Sequence, residues 1–284
     1  MAEKTSPENV KTLLRFEDVT VRFGDVVALD KISFEVKAGE TRIILGAAGS
    51  GKTVLLKTAM GLNPASGGSV FLFDDDVTHR PEKELFGIRR KIGMLFQESA
   101  LFDSMTIAQN VAYPLLNVRG TRMPMDKMEA AVRESLRFVE LGQTMEKYPS
   151  ELSGGMRRRA AIARAVVTKP PLLLYDSPTA GLDPITAHTI MALIIKERDV
   201  DNTTALVVTH RYQDGNLAAN FRYNPESGRL DPAAGTEGSG TGNNTIFMVL
   251  KEGHLVFEGK QKELEASSDP YVSKFVKRPE KEAA

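Results

Sequence analysis

Residues 41–53 read Thr-Arg-Ile-Ile-Leu-Gly-Ala-Ala-Gly-Ser-Gly-Lys-Thr. A continuous apolar run suited to a strand buried on both faces leads into the pattern G-x-x-x-x-G-K-[ST], and the residues from Lys52 onward read as a helix. A buried strand, a glycine-rich turn and a helix in that order commit the chain to a parallel sheet covered by helices, an α/β layering. The glycines of Gly46, Ala47, Ala48, Gly49, Ser50 and Gly51 let the backbone wrap an anion, so that successive N–H groups and the helix start face it. Lys52 then reaches the β- and γ-phosphates of a nucleotide and the Thr53 hydroxyl reaches Mg²⁺, so ATP and Mg²⁺ are the expected cofactors.

The flanking patterns fill in the rest of the fold. Leu13–Phe23 and Val26–Val36 alternate apolar and polar residues around Gly24-Asp25, which predicts an antiparallel hairpin. Leu172–Tyr175 and Thr204–Val208 supply two more buried strands. Between about 99 and 168 the pattern turns helical, most clearly over Met125–Glu140 and Gly154–Val167, so a helical subdomain is inserted into the α/β core. The expected fold is therefore an α/β phosphate-loop core with an antiparallel β subdomain and an inserted helical subdomain, spanning residues 13–284 behind a polar tail at 1–12. Residues 224–244, rich in Gly, Pro, Ser and Asn, are expected to form a mobile loop; Thr245–Leu250 and His254–Glu258 read as a closing hairpin, and Asp269–Val276 as a short helix.

Composition narrows the partners. Lys plus Arg equals Asp plus Glu at 37 each, which leaves no overall basic field and argues against nucleic acid. With no cysteine there are no disulfides or thiolate metal sites, and the first residues lack the apolar stretch of a signal peptide, so a cytoplasmic location is expected. No apolar run approaches the ~20 residues that span a bilayer, so membrane work would fall to a separate chain.

Other candidate residues lie at strand ends and helix starts. Asp176 closes the apolar run Leu172–Tyr175, which delivers a carboxylate to the sheet edge that also carries the phosphate loop, where it would hold Mg²⁺. Ser153, Gly154 and Gly155 open an alanine-rich helix and form a second anion-binding start. One triphosphate does not need two such sites in one chain, but a head-to-tail dimer does, with an ordinary serine cap as the plainer reading. Gln97, where a strand gives way to the helical region, reaches Mg²⁺ or the attacking water, or is a surface glutamine. His210, after Leu206–Thr209, reaches the γ-phosphate or is structural. Asp183 serves a dimer interface or caps the next helix, and Phe23 stacks on adenine or belongs to the core. Arg157-Arg158-Arg159 spread around a helical turn and are expected to be solvated or locally ion-paired.

Taken in order, these residues resemble the ATPase subunits of ATP-binding cassette (ABC) transporters from about Leu13 to Phe257. The resemblance implies that Gly46–Thr53 is Walker A, Gln97 the Q-loop, Leu152–Met156 the signature, Leu172–Asp176 Walker B, Asp183 the D-loop and His210 the switch histidine. Val54 follows Walker A in place of a threonine. Met156, with Ala100–Thr106 and Asn110–Leu115, further resembles the Mla-type ATPases of phospholipid transport and solvent tolerance. That likeness implies a homodimer with composite ATP sites at the inner face of the cell membrane. Its partners would be integral-membrane permease subunits, a small regulatory protein and a lipid-binding protein. Two departures stand out. Where the family has a glutamate that polarises the attacking water, this chain has Ser177, whose neutral hydroxyl is no such base. Relatives also run directly from helix to strand where 224–244 intervenes here. The leading function is transport-coupled ATP hydrolysis. The alternative is an ATP-gated switch with very slow turnover, which Ser177 favours; a soluble cassette acting on DNA or ribosomes is weaker, since such chains carry two cassettes or a long coiled coil.

Overall fold

Antiparallel pairing of the two alternating segments builds the first layer. The computed structural model describes residues 10–116, 123–233 and 244–276. In it β1 (Thr12–Phe23) and β2 (Val26–Lys37) form the expected hairpin. β3 (Thr41–Leu45), buried at all five positions, runs into α1 (Lys52–Ala59). β4 (Gly67–Leu72) returns to pair with the other edge of β1, and β5 (Asp75–Asp76) extends that sheet to four strands in the order β2-β1-β4-β5. Next come α2 (Glu82–Arg89) and β6 (Ile92–Leu95). The helical region holds α3 (Ile107–Leu116), α4 (Met125–Phe138) and α5 (Gly154–Val166). It gives way to β7 (Leu172–Asp176), α6 (Pro184–Asp201), β8 (Thr204–Thr209) and α7 (Tyr212–Asn220). A small hairpin follows, β9 (Phe221–Asn224) with β10 (Arg229–Pro232). The closing hairpin of β11 (Thr245–Lys251) and β12 (His254–Gly259) forms as expected, and α8 (Gln261–Glu265) and α9 (Pro270–Val276) end the described chain.

A six-stranded sheet in the order β12-β11-β3-β8-β7-β6 divides the molecule. All pairs but β11–β12 are parallel. Alternate residues of each strand enter different cores. Ile43, Leu45, Leu173, Tyr175, Val207 and Phe247 pack with α3–α7, whereas Ile44, Leu172, Leu174, Leu206, Val208 and Met248 pack with the antiparallel sheet, α1 and α2. Both sets are apolar, so the strands read as unbroken hydrophobic runs, and their register is held by the side chains that fill the two layers.

One expectation fails here. Residues 224–233 are not irregular in structure but complete the β9–β10 hairpin, while 234–243, like 1–9 of the expected tail, lie outside the described residues. The Asn224 side chain accepts from Glu226 N (2.9 Å) and Ser227 N (3.3 Å) and closes the turn. From α6, Arg198 donates to Ala218 O (2.6 Å) and Phe221 O (2.9 Å), and Asp199 accepts from Tyr223 N (2.8 Å). A polar hairpin held by another helix's side chains has no apolar stripe, so its composition resembles a loop. Among the described residues no helix is long and apolar enough to cross a membrane.

Candidate nucleotide site

Parallel neighbours end on the same edge of a sheet, and that fact assembles the site. Along the order β3-β8-β7-β6, the strand ends deliver the Gly46 loop, His210, Asp176 with Ser177, and Phe96 with Gln97. Residues more than a hundred positions apart in the chain thus line up over four adjacent strands.

The phosphate loop is shaped by contacts that only glycine permits. A Cβ on Gly46 would lie 2.5 Å from Ser50 Oγ and 2.6 Å from Leu250 O. Gly51, with φ +102°, would bring one within 2.6 Å of Ala28 O. Lys52 Nζ donates to Gly46 O (2.8 Å) and Ala47 O (2.7 Å), so the ammonium is centred on the loop that its own helix begins. Burial lowers the Lys52 pKa and the charge of Asp176 opposes that fall. Asp176 is buried and accepts from the Ser177 hydroxyl at 3.3 Å. Ser177 is held with φ +48° by its own N–H, which donates to Val208 O at 2.9 Å. The serine hydroxyl is therefore engaged with the neighbouring carboxylate.

Among the described residues no group of three or more His, Cys, Asp and Glu could hold a metal. The Thr53 hydroxyl and the Asp176 carboxylate are hard oxygen donors, and so sparse a set fits Mg²⁺, which takes its remaining ligands from phosphate and water. His210 and Gln97 are exposed at the same edge. Phe23 is 50% exposed and lies outside both cores.

Ser153 caps α5, its hydroxyl accepting from Met156 N at 3.3 Å. Ser153 and Gly154 face solvent, while a Cβ on Gly155 would lie 2.6 Å from Thr186 Cγ2, so the start of α5 rests on the start of α6. Asp183 caps α6, one carboxylate oxygen accepting from Ile185 N and Thr186 N at 3.0 Å each. Hydrogen bonds from Thr186 hold the Asp183 pKa below its usual value. The plainer reading of both residues, a helix cap, is thus present in the fold, and both remain exposed.

Residues 29–180 match the family described as ABC transporter. The chain belongs to this family. This ABC chain is 33% identical to the probable ribonucleotide transport ATP-binding protein mkl of Mycobacterium leprae, over 93% of its length and 68% of the relative's. It is 38% identical to the methionine import ATP-binding protein MetN of Corynebacterium glutamicum over 73% and 58% of the two chains. With the intermembrane phospholipid transport system ATP-binding protein MlaF of Haemophilus influenzae it shares 31% identity over 94% and 91%. Among solved structures, the dimeric post-hydrolysis state of the ATP-binding cassette MJ0796 bound to ADP and Pi superposes with a TM-score of 0.72 at 29% identity, over 87% of this chain and 98% of that one. CbiO1 from Clostridium perfringens, part of the complex cbiONQ, gives 0.73 at 26% identity over 94% and 93%. The fold is that of an ABC ATPase, and the chain is an ATP-binding P-loop ATPase subunit that energises a transporter.

The ABC site contains groups that motif reading missed. Arg159 is ion-paired with Glu140 at 3.5 Å, as expected for the arginine run, but Arg158 is not solvated. It is buried and donates to the Phe96, Gln97 and Ala180 carbonyls. Its position three and seven residues before the buried Ala161 and Ala165 was the available signal. Asp214 accepts from Thr179 (2.6 Å) and Thr209 (2.7 Å), tying the loop after β7 to the turn that carries His210. Burial raises the Asp214 pKa against those bonds. Tyr271 of α9 accepts from Ala47 N and donates to Leu250 O, both at 3.3 Å. Local sequence carries no trace of that contact, which spans 224 residues.

Proposed function

We propose that this ABC ATPase works as a homodimer at the inner face of the cell membrane, driving phospholipid or another lipid through separate permease subunits. The observation that carries the reading is the alignment of the Gly46 loop, His210, Asp176 and Gln97 on one sheet edge, with the exposed Ser153 helix start left for a second copy. Backbone N–H groups of 46–53 and Lys52 bind the triphosphate, and Thr53 and Asp176 would hold Mg²⁺, which when bound neutralises phosphate charge. Gln97 orients water and completes the metal environment, His210 hydrogen-bonds the γ-phosphate, and Phe23 stacks on adenine. Ser153, Gly154, Gly155 and Asp183 of one copy close over the nucleotide of the other, and their separation after hydrolysis moves the permease.

The permease side is supported by an apolar groove of about 360 Å³ lined by Phe96, Ala100, Phe102, Tyr113, Pro114 and Arg164. Asn110 shapes its rim by donating to Phe102 O, Met105 O and Thr106 O and accepting from Phe102 N, which holds the 102–106 turn on α3. The lipid cargo is favoured by the nearly end-to-end match with MlaF. A small regulatory protein and a lipid-binding protein would complete that assembly; nucleic acid has no place in it. The Ser177 hydroxyl, spent on Asp176, favours slow turnover and so also supports an ATP-gated switch.

The test is reconstitution of the chain with its permease in vesicles of phosphatidylethanolamine and phosphatidylglycerol carrying a fluorescent phospholipid. ATP-dependent lipid transfer is expected, and Lys52→Ala should abolish it together with tight ATP binding. Stimulation of turnover by methionine or a ribonucleotide, with no lipid transfer, would overturn the cargo assignment. Dimer closure on ATP with no turnover would establish the switch.

A further inference from the structure

Two arginines of α5 hold the turn that carries Gln97. Arg158 Nη1 donates to Phe96 O (3.1 Å) and to Gln97 O, and Nη2 reaches Ala180 O at 3.4 Å. Six residues further along, Arg164 donates to Ala100 O (2.7 Å) and Ser99 O (2.8 Å). Ser99 and Ala100 have φ +63° and +49°, so these carbonyls belong to an irregular turn that no strand partner satisfies. Arg158 is 7% exposed, and its Nε has no partner among the described residues, so its fork is spent on two separate loops.

A planar guanidinium with donors in fixed directions can bridge carbonyls of two segments at once, whereas an ammonium is a single point. The two segments Arg158 bridges are the turn that presents Gln97 and the turn that leads through Gly181 to Asp183. The helix it stands on begins at Ser153. Both turns also line, with Gly154, Arg157 and Arg158, a cavity of about 310 Å³, so they adjoin each other around this side chain.

We propose that Arg158 is a positioning residue for ATP hydrolysis, fastening the Gln97 turn and the Ala180–Asp183 turn to the helix begun by Ser153 so that the three move as one unit. The inference rests on the roles proposed above for Gln97, Asp183 and Ser153. It goes beyond them in linking a contact made across the dimer to the placement of a water-orienting group in the same chain. Arg158 acts through the loops it holds, by way of the Phe96, Gln97 and Ala180 carbonyls.

The experiment combines single-turnover ATP hydrolysis, ATP affinity and amide hydrogen exchange on wild type, Arg158→Met, Arg158→Lys, Arg164→Met, Gln97→Ala and the Arg158→Met/Gln97→Ala double variant. Arg158→Met should slow the chemical step about 10- to 100-fold, the scale of a misplaced catalytic group, with ATP affinity changed less than about twofold. Arg158→Lys should fail to restore the rate, and in the Gln97→Ala background Arg158→Met should add little. Exchange should quicken in 96–100 and 179–183 together for Arg158→Met, and in 96–100 alone for Arg164→Met. A wild-type rate in Arg158→Met, a rate loss matched by lost affinity, or a loss that multiplies fully with Gln97→Ala would overturn the proposal. If Arg158→Met does not fold, Arg158→Lys, which keeps the stem and charge, carries the same comparison. Exchange needs no turnover: unchanged protection of the two turns refutes the tie, while a wild-type rate in Gln97→Ala with loosened turns refutes the Gln97 role instead.

Discussion

Ser177 concentrates the chemistry of this chain in one side chain. Its hydroxyl donates to Asp176 and its backbone sits at φ +48°, a conformation that an unbranched side chain adopts at no greater cost than serine does. Ser177→Glu should therefore be tolerated and should place a base at the strand end, raising the single-turnover rate by about 10² to 10⁴-fold. Rapid-quench hydrolysis with Mg²⁺ present measures it, and a wild-type rate equal to the variant's would show that another group already supplies that base. The residue was legible because it interrupts a motif. Arg158 was legible only in part: its spacing to Ala161 and Ala165 marks a buried helix face, but nothing local shows the carbonyls that a distant strand brings to it.

Elements carry two further effects. α6 buries Glu197, whose pKa is raised from 4.5 to about 7, first by burial and then by the charge of Asp201. The folded protein binds that proton more tightly than the unfolded chain, so the stabilisation is full below about pH 4.5 and is lost as pH rises toward 7. The lost contribution is of order 3 kcal/mol. Glu197→Gln should flatten that part of the stability–pH curve in urea titrations and raise stability above pH 7; an unchanged slope between pH 5 and 7 would rule the group out. On α9, the Tyr271 hydroxyl bridges Ala47 N and Leu250 O. Tyr271→Phe should cost about 1 kcal/mol, a fall in Tm of roughly 2–4 °C by calorimetry, and an unchanged Tm would mean the bridge contributes nothing.

At the scale of the whole molecule, the Ser153 helix start faces solvent, and one phosphate loop already serves one triphosphate. Ser153→Arg should leave ATP binding to the monomer intact and prevent ATP-driven dimerisation, because a long cation would occupy the place of the partner's nucleotide. Sedimentation in the presence of ATP reads this directly, and an ATP-dependent dimer in the variant would refute the composite site.

The sequence by itself determined the strand–loop–helix around Lys52, the buried strands ending at Asp176 and Thr209, the helical region and the antiparallel hairpin. Each is a local pattern in which spacing, glycine geometry and hydrophobic runs act within a few residues of one another. Only the tertiary structure decided the strand order that ranks Gly46, His210, Asp176 and Gln97 along one edge, the β9–β10 hairpin clasped by α6, and the ties made by Arg158, Asp214 and Tyr271. Those depend on polar groups meeting across tens to hundreds of residues. A hydrogen bond between two loops leaves no periodicity in either, so it becomes visible only when packing has brought both to the same place.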